Sequence, residues 1–220
     1  MIFPIGDDQV RGGSIPIFSY GFIVLNILIF IFQLSLTEQG LYQFYENFAT
    51  RPDEILQGEE WHTLVSSMFL HGGWMHLIGN MMFLWVFGDN IEATIGNFRF
   101  LLFYLAGGVF ASFSHVFFNL GSEIFTLGAS GAISAVLGAY LVMFPRSRIK
   151  MWVIILFRSF KIAAFLFLGF WIVQQLISGI GSLNQSGAGV AWWAHIGGFV
   201  FGVIFGLFNR KKALAMVYGN

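Results

Sequence analysis

Four polar side chains carry the chemistry that this 220-residue sequence offers: Ser130, His195, His76 and Asn80. A serine hydroxyl is a weak nucleophile until a base takes its proton, and histidine is the side chain best suited to that task near neutral pH. Ser130 with His195 as general base makes a nucleophilic dyad. Attack on a carbonyl develops charge on its oxygen, and His76 and Asn80, spaced i and i+4, offer two hydrogen-bond donors on one helix face. The set reads as acyl transfer. A carboxylate to orient His195 would have to be Asp89 or Glu92, and both fall toward the far end of the segment that begins near His76, so a dyad rather than a triad is predicted. The sequence has no cysteine, which excludes a thiol nucleophile, a disulfide framework and Cys-ligated zinc.

These residues act together only if the elements carrying them meet. The sequence is 57% hydrophobic and only 10% charged, against about 25% charged for an average soluble chain. An ordinary soluble domain is excluded, and so are disordered and nucleic-acid-binding classes. Eleven Lys and Arg balance eleven Asp and Glu, so nothing points to a polyanionic partner. The bilayer is the implied solvent and partner. A hydrocarbon core of about 30 Å takes roughly 20 apolar residues per helix. Six runs qualify: 15–36, 74–90, 98–118, 126–144, 162–180 and 190–208. The predicted fold is an all-α polytopic membrane bundle of six transmembrane helices. Residues 1–14 and 209–220 are read as short cytoplasmic ends of a membrane domain spanning 15–208. The first run is longer than a signal-peptide core and lacks a small-residue exit, so it is expected to be retained. Residues 145–161 are partly apolar but carry Arg158 and Lys161, and they are assigned to a cytoplasmic, partly interfacial connection. One span from 151 to 170 is the competing reading.

Cations set the orientation. Arg146, Arg148, Lys150, Arg158 and Lys161 precede the fifth run, and Arg210, Lys211 and Lys212 follow the sixth. Those segments are expected in the cytoplasm, with both termini, while the acidic loop 37–73 lies outside. The second, fourth and sixth runs then descend from the external face. His76, Ser130 and His195 each fall within about six residues of their run's start, a depth of under roughly 10 Å. Asn80 lies one turn deeper than His76. Small residues favour close approach of the carriers: Gly128, Gly131 and Gly138 on the fourth run, and Gly198, Gly202 and Gly206 at fourfold spacing on the sixth. Taken singly, a membrane serine usually bonds its own i−4 carbonyl, and a histidine is as often structural as functional. The coincidence of type, depth and helix direction is what selects these four. His115 lacks a matching partner and is assigned a structural role. Zincin and two-aspartate chemistries lack their motifs. A metal site on His62, His71 and His76 stays open as an alternative, although their spacings do not share a helix face.

Three ordered motifs carry a resemblance: F-L-H-G-G-W-M-H-L-I-G-N from Phe69, G-A-S-G from Gly128 and A-H-I-G-G from Ala194. Together, on the second, fourth and sixth runs, they resemble the rhomboid intramembrane serine proteases over residues 61–208. The resemblance implies Ser130 as nucleophile and His195 as general base, with His76, Asn80 and the backbone N–H of Ser130 as the oxyanion hole. It further implies hydrolysis of peptide bonds in or beside the transmembrane segments of membrane-protein substrates, with no metal or other cofactor, from a cavity open to the external face. A non-catalytic rhomboid-like binder of membrane helices is the alternative. The family's gating elements correspond to the fifth run and the loop 181–189. A compact six-span chain of this kind suggests a prokaryotic plasma membrane. Two positions depart from the common pattern. Ser134 stands where many members have an aromatic that packs on the catalytic histidine, and His62 follows Trp61 where many have arginine.

Overall fold

The computed structural model describes residues 2–8, 12–153, 155, 157–183 and 190–218. Nine helices and three strands are described: β1 (Ile2–Gly6), α1 (Ile17–Ser35), α2 (Glu38–Phe48), α3 (Pro52–Gln57), α4 (Thr63–Ser66), α5 (Trp74–Ile95), α6 (Asn97–Phe118), α7 (Ser130–Met143), β2 (Arg148–Val153), β3 (Arg158–Ala163), α8 (Ala164–Ser182) and α9 (Trp192–Tyr218). The protein is a mostly helical membrane bundle. By length and composition, α1, α6, α8 and residues Trp192–Met216 of α9 are each able to cross a bilayer. Helix α5 is long enough but carries Asp89 and Glu92 in its last two turns, and α7 is only 14 residues long.

The brevity of α7 has a physical reason. Fourteen residues rise about 21 Å, well short of the hydrocarbon thickness. Such a helix cannot face lipid at both ends without stranding backbone groups. Here 11 of its 14 residues are buried, enclosed by α5, α6, α8 and α9. The sequence expectation of a helix over 126–144 is therefore corrected at its start. Residues before Ser130 run as a turn held from outside the helix, with the backbones of Thr50 and Thr126 bonding each other at 2.8 and 3.0 Å and Gly128 N–H donating to the Ser67 carbonyl at 2.8 Å.

Glycines bring α7 and α9 together. A Cβ added at Gly202 would run into the Ala135 carbonyl, one at Gly198 into the Gly131 carbonyl, and one at Gly138 into the Phe199 carbonyl. Gly131 itself faces the Ala111 methyl of α6. No residue with a side chain fits these positions unless the backbones part.

Helix α1 buries polar residues at intervals of seven, Ser19, Asn26 and Gln33, and the first and last of them fasten it. The Glu92 carboxylate on α5 caps its start, accepting from the backbone N–H of Phe18 at 2.8 Å and from the N–H and hydroxyl of Ser19, both at 2.7 Å. It satisfies donors that a helix start leaves open, and its charge suits the dipole there. At the other end, the Gln33 amide brackets the backbone of His71, donating to its carbonyl at 3.0 Å and accepting from its N–H at 3.1 Å.

To the helices the structure adds a small antiparallel sheet of order β1–β2–β3. The connection 145–161 is the β2–β3 hairpin, with Lys150 opposite Lys161 and Trp152 opposite Ser159. The competing single span over 151–170 is thereby excluded. Strand β1 pairs with β2, and of the two side chains just beyond it Asp8 ties back to the sheet while Asp7 fixes the sheet to the bundle. Asp8 accepts from the Arg148 N–H at 2.9 Å, while Asp7 meets Asn90 of α5 and Tyr140 of α7. Strand pairing rather than helix explains why α8 begins at Ala164, after the cations. Helix α9 runs on to Tyr218, through Arg210, Lys211 and Lys212.

Candidate active site

Ser130 is the first residue of α7. Its N–H and those of the next residues have no acceptor one turn back, and the positive end of the helix dipole lies there. Gly128 reaches this point with φ +123°, a conformation that side chains resist, and a Cβ there would strike the His76 ring. A glycine is thus needed on two counts.

Across the α7–α9 contact, the Ser130 hydroxyl lies 2.8 Å from Nε2 of His195, which sits in the first turn of α9. The imidazole is buried at 9% exposure, as expected where glycines seat α9 directly on α7. Its other nitrogen, Nδ1, is 2.8 Å from Oε1 of Gln175 on α8. Trp171, one turn before Gln175, lies 6.0 Å from the His195 ring between centroids, and Trp192 meets it edge-on at 6.2 Å.

His76 and Asn80 face the same turn from α5. An added Gly128 Cβ would lie 2.6 Å from Nε2 of His76 and 3.6 Å from Nδ2 of Asn80. Gly72 N–H donates to Nδ1 of His76 at 3.5 Å, a long bond that leaves the Nε2 hydrogen directed at the serine turn. The Asn80 amide nitrogen lies 2.9 Å from Nε2 of His71. An amide carries two hydrogens, so one remains for another acceptor. His71 lies just before α5 and is 1% exposed. Burial, with neighbouring His76 adding, pushes its imidazole down to about 3, and it stays neutral as an acceptor must.

Ser130, His195, His76 and Asn80 line one cavity of about 860 Å³. Its wall also carries His115, Asn119, Thr126 and Ser134 among apolar Met75, Phe83, Phe125 and Leu137. Serine 134 donates to the Ser130 carbonyl at 2.6 Å, the i−4 back-bond common for serine in membrane helices. His115 does have partners, Thr126 Oγ1 at 3.0 Å and Asn119 Nδ2 at 3.3 Å, and it faces the cavity. His62 stands apart from the other histidines, bonded to the Asn47 carbonyl at 2.8 Å. His71 and His76 have ring centroids 5.0 Å apart, yet Nε2 of His71 is taken by Asn80. Asp89 lies 13 residues past His76 on α5, about 20 Å along the helix, and Glu92 is engaged by α1. Neither carboxylate reaches His195.

Gln175 escapes the sequence argument, and His71 enters it only as a metal candidate and not as the partner of Asn80. Gln174 and Gln175 are the strongly polar pair in the run 162–180, and that interruption is the available signal. His71 lies outside any span, and only the fold brings it over Asn80. Of the loop 181–189, residues 184–189 lie outside the described residues.

The family model for the Rhomboid domain matches residues 58–212. Among similar curated proteins is "Rhomboid protease GluP" of Bacillus subtilis (strain 168), 32% identical over 188 residues, which covers 85% of this chain and 34% of that protein. "Presenilin-associated rhomboid-like protein A, mitochondrial" of Danio rerio is 31% identical over 147 residues, covering 64% of this chain and 35% of the relative. "Rhomboid protein 1, mitochondrial" of Saccharomyces cerevisiae is 26% identical over 205 residues, covering 87% and 53%. The chain thus spans between a third and about half of the length of these relatives.

Proposed function

The chain belongs to the rhomboid family, and from that premise we propose that it is an intramembrane serine endopeptidase. The observation that carries the reading is the 2.8 Å contact between Ser130 Oγ and His195 Nε2 inside a cavity that also holds His76 and Asn80. In the proposed reaction Nε2 of His195 takes the hydroxyl proton as Oγ attacks the carbonyl carbon of a peptide bond. The oxyanion receives hydrogen bonds from Nε2 of His76, Nδ2 of Asn80 and the N–H of Ser130, at a helix start that favours negative charge. His195 then returns the proton to the leaving amine, and an acyl-enzyme on Ser130 remains. Water from the cavity, deprotonated by the same imidazole, releases the second product. No metal or other cofactor enters these steps.

The substrates proposed are membrane proteins, cut in or next to a transmembrane segment. A peptide bond within a helix is shielded, so segments that unwind easily are favoured. The accompanying topology has six spans, with α5 and the enclosed α7 as the second and fourth. Both termini and the β2–β3 hairpin, with its cations, lie on the cytoplasmic side, and the cavity opens externally. Placement in a prokaryotic plasma membrane is part of the same proposal.

The test needs no known substrate. Purified protein treated with a fluorophosphonate probe should be labelled at Ser130, located by mass spectrometry, and labelling should vanish in Ser130→Ala and His195→Ala. No label on folded wild-type protein, with probe access confirmed on an active relative, would replace the protease reading with a non-catalytic binder of membrane helices.

A further inference from the structure

Only one tautomer of His195 can accept the serine proton, the one with its lone pair on Nε2 and its hydrogen on Nδ1. A buried imidazole with nothing at Nδ1 would divide between both tautomers and be free to turn about its side-chain bonds. In serine hydrolases a carboxylate usually settles this. Here Asp89 is remote and Glu92 is occupied, while Oε1 of Gln175 lies 2.8 Å from Nδ1. The amide nitrogen of Gln175 points the other way, donating to the Trp171 carbonyl at 3.4 Å. That contact leaves the oxygen as the end facing the ring, an acceptor that demands a hydrogen on Nδ1. Gln175 is 4% exposed, so water competes little for the bond. Trp171, on the same face of α8 one turn earlier, limits ring rotation from the side. Ser134 spends its hydroxyl on the Ser130 carbonyl and contributes nothing at Nδ1.

We infer that Gln175 is the positioning residue for His195: it holds the reactive tautomer and steadies the imidazolium while the proton is in transit. The inference rests on the protease reading above. A neutral amide in this role is physically sensible, because a carboxylate buried at that depth would be costly to desolvate. The amide carbonyl still offers its dipole to the developing positive charge. The dyad thus gains a positioning residue, and that third member comes from α8.

The test compares full-length wild type with Gln175→Met, which keeps chain length and volume but loses the strong acceptor, and Gln175→Glu, which restores an acceptor and adds charge. Each purified protein is reacted with the fluorophosphonate probe, and the labelling rate at Ser130 is followed against probe concentration and pH. Gln175→Met should label about tenfold to a hundredfold more slowly at unchanged probe affinity, the scale of losing one tautomer-selecting hydrogen bond. Gln175→Glu should recover most of the rate and move the acid limb of the pH profile to higher pH, because a carboxylate favours the imidazolium. A residue that merely fills space would move neither the rate at saturating probe nor the limb. Wild-type rates and an unmoved acid limb in both variants would overturn the inference. Should Gln175→Met not fold, Gln175→Leu, which also lacks an acceptor, takes its place, and a wild-type labelling rate there overturns the inference. Failure of wild type to label at Ser130 is a different result, and it removes the protease reading first.

Discussion

The α7–α9 contact ties packing to chemistry, and Gly202→Ala probes the tie. An added Cβ would lie 2.7 Å from the Ala135 carbonyl carbon and 2.9 Å from its Cα, whereas ordinary contact begins at 3.4 Å. The Ala135 carbonyl oxygen is struck harder still, so the helices must part by more than the 0.7 Å (3.4 − 2.7) that the carbon alone demands. Ala135 is five residues after Ser130 on α7, and Gly202 is two turns after His195 on α9. A rigid separation of that kind stretches the Ser130–His195 contact from 2.8 Å to beyond 3.5 Å (2.8 + 0.7), past the edge of hydrogen bonding. Two stability terms oppose each other. Overpacking costs about 1–3 kcal/mol, and replacing a helical glycine by alanine returns about 1 kcal/mol. The net loss is then about 0–2 kcal/mol, so thermal unfolding is a blunt readout. The rate is sharper, since misplacing reacting groups by about 1 Å costs on the order of a hundredfold. Gly202→Ala should label at Ser130 tenfold to a hundredfold more slowly, by roughly this reasoning. Gly169→Ala on α8, with nothing within 4 Å of the new methyl, should label at the wild-type rate. A Gly202→Ala protein that reacts and unfolds like wild type would refute the claim that this contact sets the dyad distance.

Further expectations rest on other contacts. Asn80→Ala removes one of the proposed oxyanion donors and should lower the labelling rate by about 10² to 10³ without abolishing it, and an unchanged rate would sink that assignment. Glu92→Gln weakens the cap on α1 and should lower stability by about 1–2 kcal/mol, measured by chemical denaturation, with the labelling rate of the folded protein little altered. Asp7 is pushed up to about 7 by burial, with nearby Asp89 adding and the Tyr140 and Asn90 hydrogen bonds opposing. Its folded value lies above its unfolded one, so its contribution is present at low pH and is lost as pH rises through about 7. Protection of the amides over residues 3–6, taken relative to the intrinsic exchange rate at each pH, should fall across neutral pH in wild type and not in Asp7→Asn, and equal pH dependence of protection in the two would refute it.

The helical bundle was legible because lipid leaves its mark on composition: long apolar runs, few charges and fourfold glycines admit few arrangements. The convergence of Ser130, His195, His76 and Asn80 on one cavity was legible for the same reason, since each polar residue in such a run stands out. The hairpin was not. Residues 148–163 alternate too weakly to announce strands, and the partner β1 lies some 145 residues away in sequence. Helix α7 was drawn too long because hydropathy counts apolar residues and not what surrounds them. Gln175 belongs to a different class of miss. An uncharged amide interrupts an apolar run less than a carboxylate would, and its meaning depends on a ring contributed from 20 residues away by another helix.

The short, enclosed α7 also offers the proposed water-requiring reaction a place below a membrane surface. A lipid-facing span must satisfy its backbone along the whole hydrocarbon thickness, and so it cannot end in mid-membrane. A helix surrounded by α5, α6, α8 and α9 is free of that constraint and can begin deep. Its open N–H groups then point into the cavity instead of into lipid. The first side chain at that start is Ser130, and the turn before it admits only glycine at position 128. Lengthening α7 by one turn toward its start would fill the cavity, pair those N–H groups and move the serine off the helix end. On this argument the 14-residue length is a functional dimension. Substituting Gly128 with alanine should therefore damage the site through both strain and collision with His76, even though neither Ser130 nor His195 is touched.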